Sequence, residues 1–114
     1  MSKDSFYFLR HIYDECSFLL SVSKGKDIED ILNDEILKRA IVRSLEIIGE
    51  ATKKISKEFK DNHFNVNWKN MAGMRDRLIH DYMGVDYLII WDVLKNKIPE
   101  LHTQIERILA GDEV

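Results

Sequence analysis

Apolar residues recur at three- and four-residue steps along most of this chain, the period of helices that bury one face. From about Asp4 to Ser23, Phe6, Leu9, Ile12, Tyr13, Cys16, Leu19 and Leu20 share one side. Ser23-Lys24-Gly25-Lys26 interrupts the pattern, and Asp27 is placed to cap a short helical turn through Ile28, Ile31 and Leu32. A longer helix is predicted from Asn33 or Asp34 to about Lys60, with Leu37, Ile41, Leu45, Ile48, Ala51 or Thr52, Ile55 and Phe59 in its stripe. Gly49 sits inside this helix at a cost of about 1 kcal/mol relative to Ala, which predicts close approach by a neighbouring helix.

The run Asp61 to Asn67 (DNHFNVN) has the polar composition of a loop and ends in a candidate N-cap, Asn67. A third helix is predicted over Trp68 to Tyr82. The helical pattern resumes after Gly84, from Asp86, with Tyr87, Leu88, Ile90, Trp91 and Leu94 apolar over an arc too wide for a single buried face. Part of that arc is a candidate dimer contact or the fourth wall of the bundle. Pro99 lacks a backbone donor and clashes with the turn before it, so a break or kink is expected near Asn96 to Ile98, with a last helix ending near Gly111. Sustained period-two alternation, Gly-rich phosphate loops and internal repeats are missing from the pattern. The expected fold is therefore an all-α helical bundle, one domain over residues 1–114.

Composition narrows the function classes. At 114 residues, with 45% hydrophobic and 32% charged side chains and a single proline, the chain reads as a helix-rich globular domain rather than a disordered or disulfide-framed one. Cys16 is the only cysteine, so neither an internal disulfide nor a thiolate cluster for zinc can form, and its expected role is that of a small buried hydrophobe. No apolar run approaches the length of a membrane span, and the start MSKDSFYFLR lacks the apolar core of a signal peptide, so the expected compartment is the cytoplasm. The formal charge of -3 supplies no global field that would draw the protein onto nucleic acid, so any RNA contact rests on a local site. Residues 34–60 carry seven bases against five acids and residues 83–114 three against six, a division that fits either a basic middle and acidic tail that complement each other or solvated helix faces with weak surface pairs.

Chemistry concentrates in Met74-Arg75-Asp76-Arg77-Leu78-Ile79-His80-Asp81-Tyr82. On a helix Asp76 and His80 are i, i+4 neighbours, as are Arg77 and Asp81, so Asp76 can orient His80 and favour its protonated form. Arg75 and Tyr82 share a face. Arg75 and His80 are five apart, about 140° around an ideal helix, so their convergence on one phosphate calls for a long Arg reach, a distorted helix or a second copy of the site. A two-fold axis beside this helix would place two Arg and two His around one cleft. His as acid/base and Arg as phosphate clamp suffice for RNA cleavage without a metal, through attack of the 2′-hydroxyl on the adjacent phosphorus. On spacing alone the same groups also serve as surface hydrogen-bond and ion-pair partners, with the Tyr82 ring packed and its hydroxyl at a polar edge.

Arg75-Asp76-x-x-x-His80-x-Tyr82 resembles the R-x4-H-x-Y signature of HepT-like toxins, a branch of the HEPN superfamily. The likeness extends to SLEIIGEATKKI at 44–55, NWKNMAGMRDRLIHDYMGVD at 67–86 and IIWDVLKNKIPEL at 89–101, and so to essentially the whole chain. The resemblance implies a HEPN-type up-and-down bundle of four to five helices that forms a homodimer around the motif helix. It implies a metal-independent endoribonuclease with Arg75 and His80 catalytic, Asp76 supporting, and neither cofactor nor metal. It further implies a toxin–antitoxin partner, an MntA-like minimal nucleotidyltransferase that transfers AMP onto the motif tyrosine, here Tyr82. Bulk and negative charge at that position would exclude RNA phosphate. The sequence departs from the family at Asn65-Val66-Asn67, where relatives often place a proline next to the Trp, while the Arg, His and Tyr positions are intact. Two other classes stay open: a non-catalytic helical module that dimerises and docks a nucleotidyltransferase, and a nucleotide-binding module whose Arg and His hold some other phosphate.

Elsewhere, His11, His63 and His102 lack metal-ligand spacing and are expected at the surface or rim. Trp68 and Trp91 are expected to pack in the core rather than stack on bases. Glu46 and Glu50, one turn apart on the long helix, are placed to approach the motif helix and pair with Arg75 or Arg77, with solvated charge as the alternative.

Overall fold

Helix α1 (Lys3–Ser23) turns Leu9, Ile12, Cys16 and Leu19 fully inward, the i, i+3, i+4 stripe expected of it. The computed structural model describes residues 3–78 and 84–111. The short α2 (Ile28–Leu32) starts at Asp27 with a reciprocal capping box, in which Asp27 accepts from the Asp30 amide and the Asp30 carboxylate accepts from the Asp27 amide. Asp34 then caps α3 (Glu35–Lys54) by accepting from the Leu37 amide at 3.0 Å. Along α3, Ile41, Leu45 and Ile48 are buried against α1. Ser44 fixes the register of this pairing: its hydroxyl donates to the Glu15 carboxylate at 2.7 Å.

The long helix expected to reach about Lys60 stops at Lys54. Ile55 is extended (φ -75°, ψ 137°), and Ser56 caps a separate helix, α4 (Lys57–Asn62), by accepting from the Phe59 amide. Buried Ser5 on α1 accepts from the Ser56 amide at 3.3 Å, which gives the interrupted backbone a partner. Periodicity alone hid the break, because Ile55 and Phe59 are buried on both sides of it.

The predicted third helix is likewise divided. Asn67 caps α5 (Trp68–Ala72) as expected, accepting from the Asn70 amide at 3.1 Å. Gly73, with ψ near 6°, ends α5, and α6 (Met74–Leu78) follows at once. Residues Ile79 to Tyr82, the remainder of that expected helix, lie outside the described residues. Entry into α5 works without the proline of relatives: Val66 is buried, and its carbonyl accepts from the Trp68 amide at 2.9 Å.

After Gly84, α7 (Tyr87–Asp92) is capped by Asp86, and α8 (Ile98–Leu109) carries Pro99 in its first turn. The expected break near Asn96 to Ile98 is instead a wide turn over Val93–Lys97, where the Ile98 amide donates to the Val93 carbonyl five residues back. Winding wide just before Pro99 keeps the chain helical where a tighter ladder would set the ring against the preceding turn. Leu101, Ile105 and Ile108 of α8 close the core over α1. Across that seam the Tyr13 hydroxyl donates to Glu106 at 3.1 Å, and His102 stacks on the Tyr13 ring with Nε2 3.1 Å from the Ser17 hydroxyl. The described residues thus form an all-α bundle, as expected, and none of their helices is long and apolar enough to cross a membrane.

Cys16 is buried as predicted, and burial, with a smaller contribution from Glu15, pushes its thiol up to about 12. The folded protein should therefore leave Cys16 unreacted with an aromatic disulfide reagent near pH 8, and label stoichiometrically once unfolded in guanidinium. Because the folded thiol holds its proton where the unfolded one has lost it, this group's contribution is complete below about pH 9 and falls as pH rises toward about 12. Fast labelling of the folded protein at pH 8 would show that the α1 stripe is not packed as described.

Candidate active site

The side chains of α6 sort by face. Met74 and Leu78, four apart, are buried and seat the helix, which leaves Arg75, Asp76 and Arg77 exposed on the remaining arc. Arg75 turns back onto α3, where its Nε donates to Glu46 Oε2 at 3.1 Å. Of the two glutamates expected to approach the motif helix, Glu46 makes the pair; Glu50 is exposed and has no ion pair among the described residues. Half of the Arg75 side chain and a quarter of that of Glu46 remain accessible, so as a stabilising interaction the pair contributes only about 0–1 kcal/mol.

Helix packing brings these two groups together. A Cβ built on Gly49 would lie 3.4 Å from the Met71 carbonyl oxygen and 3.7 Å from that of Ala72, ordinary contact distances, so the end of α5 lies directly against α3 at this glycine, with room for a methyl group. From that contact the chain runs through Gly73 into α6 and reaches Glu46, one turn earlier on α3. The close approach expected at Gly49 is thus the step that sets Arg75 opposite its partner.

Arg77, two residues on, points the other way and lines a crevice against α8 with Lys97, Glu100 and Gln104. Asp76 is exposed. Its expected partner His80, the expected Arg77 partner Asp81, and Tyr82 lie outside the described residues, so the Asp76–His80 and Arg77–Asp81 pairs and the placement of Tyr82 remain expectations of the sequence.

Both flanks of the motif's second half are anchored. At one end Leu78 is buried; at the other, the Asp86 amide donates to the Leu78 carbonyl at 2.9 Å, while the Asp86 carboxylate accepts from the Leu88 and Ile89 amides. Lys38 of α3 lies over the Tyr87 ring, 5.1 Å from its centre, and ties the start of α7 to α3. Asp86, directly before an apolar helical run, is legible as a cap in the sequence, whereas its amide's bond back to Leu78 is not.

Outside the motif, the histidines behave as rim residues. His11 is exposed with its ring 4.6 Å from Tyr7, His63 packs against Phe59, and His102 is the half-buried member of the α1–α8 seam. Trp68 is in the core, its indole N–H donating to the His63 carbonyl. Trp91 is only half-buried, with Lys95 over its ring at 4.6 Å. Among the described residues no group of three His, Cys, Asp or Glu side chains is gathered for a metal ion.

Comparison with known proteins adds an independent line. Residues 12–108 match the family described as ribonuclease HepT-like. The chain is 54% identical over 106 residues to "Putative RNase TTE0752" of Caldanaerobacter subterraneus subsp. tengcongensis, covering 93% of this chain and 95% of that protein. It is 41% identical over 105 residues to "Putative RNase MJ0125" of Methanocaldococcus jannaschii, covering 90% of each. It is 39% identical over 101 residues to "Probable ribonuclease HepT" of Thermococcus cleftensis, covering 89% of this chain and 92% of that protein. No solved structure matches the chain.

Proposed function

Because the chain belongs to the HepT-like ribonuclease family, we propose that it is an endoribonuclease that cleaves RNA without a metal, acting as a single domain over residues 1–114. The observation that carries this reading is Arg75: within an intact R-x4-H-x-Y motif it is tethered at Nε, half-exposed, and without an acceptor for its two terminal nitrogens among the described residues. A guanidinium in that state can make paired, charge-assisted hydrogen bonds to a phosphodiester.

In this mechanism His80, oriented by Asp76, takes the proton from a ribose 2′-hydroxyl. The 2′-oxygen attacks the adjacent phosphorus, and the bond to the 5′-oxygen breaks. A second proton donor, the His80 of a partner protomer, protonates the departing 5′-oxygen, leaving a 2′,3′-cyclic phosphate and a 5′-hydroxyl. Arg75 stabilises the charge that builds on the non-bridging oxygens. Sequence spacing supports the two-protomer arrangement, since a helix sets residues five apart about 140° from one another, and a homodimer with the motifs facing one cleft supplies the missing convergence.

The same reading assigns the protein to a toxin–antitoxin pair in the cytoplasm, with a minimal nucleotidyltransferase as antitoxin and Tyr82 as the acceptor of AMP. A phosphodiester there would repel RNA phosphate beside Arg75 and His80. Purified wild-type protein in EDTA should cut single-stranded RNA, leave cyclic-phosphate ends and spare DNA of the same sequence, which lacks the 2′-hydroxyl. Unmodified protein that leaves RNA intact, or that cuts DNA equally, would overturn the mechanism.

A further inference from the structure

We propose that Glu46 is a positioning residue for the reaction: it fixes the Arg75 guanidinium so that its two terminal nitrogens face the scissile phosphate. This inference rests on the reading of the protein as a ribonuclease. An arginine offers five N–H donors in a planar fork, and which edge meets a phosphate depends on what holds the others. Here Nε is taken by Glu46 Oε2 at 3.1 Å, on the α3 side. The Nη1/Nη2 edge, the one suited to two parallel bonds to non-bridging oxygens, has no acceptor among the described residues.

Two features make this a built arrangement rather than a chance encounter of long side chains. Glu46 is only a quarter exposed, so its rotamers are limited by the surrounding helices. Its distance from Arg75 is set by helix packing: the Met71 and Ala72 carbonyls lie against α3 at Gly49, and the buried Met74 and Leu78 fix the rotation of α6. The weakness of the pair as a stabilising contact agrees with this role, because a surface ion pair adds little to folding while a preset guanidinium spares ordering cost when the phosphate arrives. The negative charge of Glu46 is directed at Nε, and the opposite edge of the fork is left cationic.

The test uses the full chain and a quenched single-stranded RNA, with steady-state kinetics on wild type, Glu46→Ala and Glu46→Gln. Gln keeps an acceptor oxygen for Nε and removes the charge; Ala removes both. The expected result is a loss of about tenfold or more in kcat for Glu46→Ala, with KM changed less than kcat, and recovery to within about threefold of wild type in Glu46→Gln. Thermal midpoints of all three should agree to within a few degrees, in keeping with the weak pair. In the 15N spectrum, the Arg75 Nε–H signal should be shifted and faster-exchanging in Glu46→Ala than in wild type and Glu46→Gln. Active wild type with Glu46→Ala within about twofold of it would overturn this role alone, as would equal losses in Ala and Gln that track a fall in thermal midpoint. Wild type that cleaves no RNA would remove the reaction itself, and this role with it.

Discussion

Replacing His80 with alanine should reduce kcat/KM for metal-free RNA cleavage by roughly 10²–10⁴-fold, the range that a positioned general acid or base contributes. Far-ultraviolet circular dichroism and the thermal midpoint should stay those of wild type. The direction follows from the chemistry of the motif. Without an imidazole, neither deprotonation of the 2′-hydroxyl nor protonation of the 5′-oxygen has a side-chain agent, while Arg75 still holds the phosphate. Loss in kcat should therefore exceed the change in KM. In a shared cleft each protomer's His80 has a separate task, so a dimer with one wild-type and one His80→Ala chain should retain far less than half the activity. Independent sites would retain half. Cleavage by His80→Ala within about threefold of wild type would exclude the imidazole from the proton transfers and leave a docking or phosphate-binding role for the motif.

Much of this fold is legible in the sequence, because buried positions on helices obey a single period. Leu9, Ile12, Cys16 and Leu19, then Ile41, Leu45 and Ile48, are core on periodicity alone, and the structure buries every one of them. Caps are legible for a different reason: Asp27, Asp34 and Asn67 are short polar side chains directly before apolar runs, and each accepts from an amide in the first turn it begins. Interruptions are not legible where the stripe continues across them. Ile55 and Phe59 fit one helix or two; Ser56 decides for two, by capping α4 and through its contact with Ser5 of α1, 51 residues away. Gly73 and the wide turn before Pro99 are similar: the sequence marks a weak point, while packing selects the geometry adopted there.

For the site, the residue types carry half of the information. That an acid on the long helix should meet the motif follows from the charge pattern, and either Glu46 or Glu50 satisfied it. The choice of Glu46 depends on how far α5 advances along α3 before Gly73 turns the chain, which is set by the contact at Gly49. Arg75 and Arg77 look equivalent as letters in the motif. On the helix they are about 200° apart, so one faces α3 and the other α8, and among the described residues only the first has an acidic partner on its guanidinium.

Truncating Ile12 to alanine should destabilise the protein by roughly 2–5 kcal/mol, the cost of deleting a fully buried aliphatic side chain. Ile12 is wholly inaccessible on α1, the helix that packs against both α3 and α8, and the close-packed helices around it relax only partly into the void. Against a total stability of about 5–15 kcal/mol this is a large fraction, and the thermal midpoint should fall by roughly 10–20 °C. Ile36→Ala is the matched control: with Ile36 82% exposed at the start of α3, its loss should stay within about 0.5 kcal/mol. Ile12→Ala should also impair cleavage at temperatures well below its new midpoint, because α1 packs along α3 and Glu46 keeps its distance to Arg75 only while α3 is held. Ile12→Ala that melts with wild type would mean that α1 is not the central wall of the bundle, and the α3 scaffold of the site would need another support.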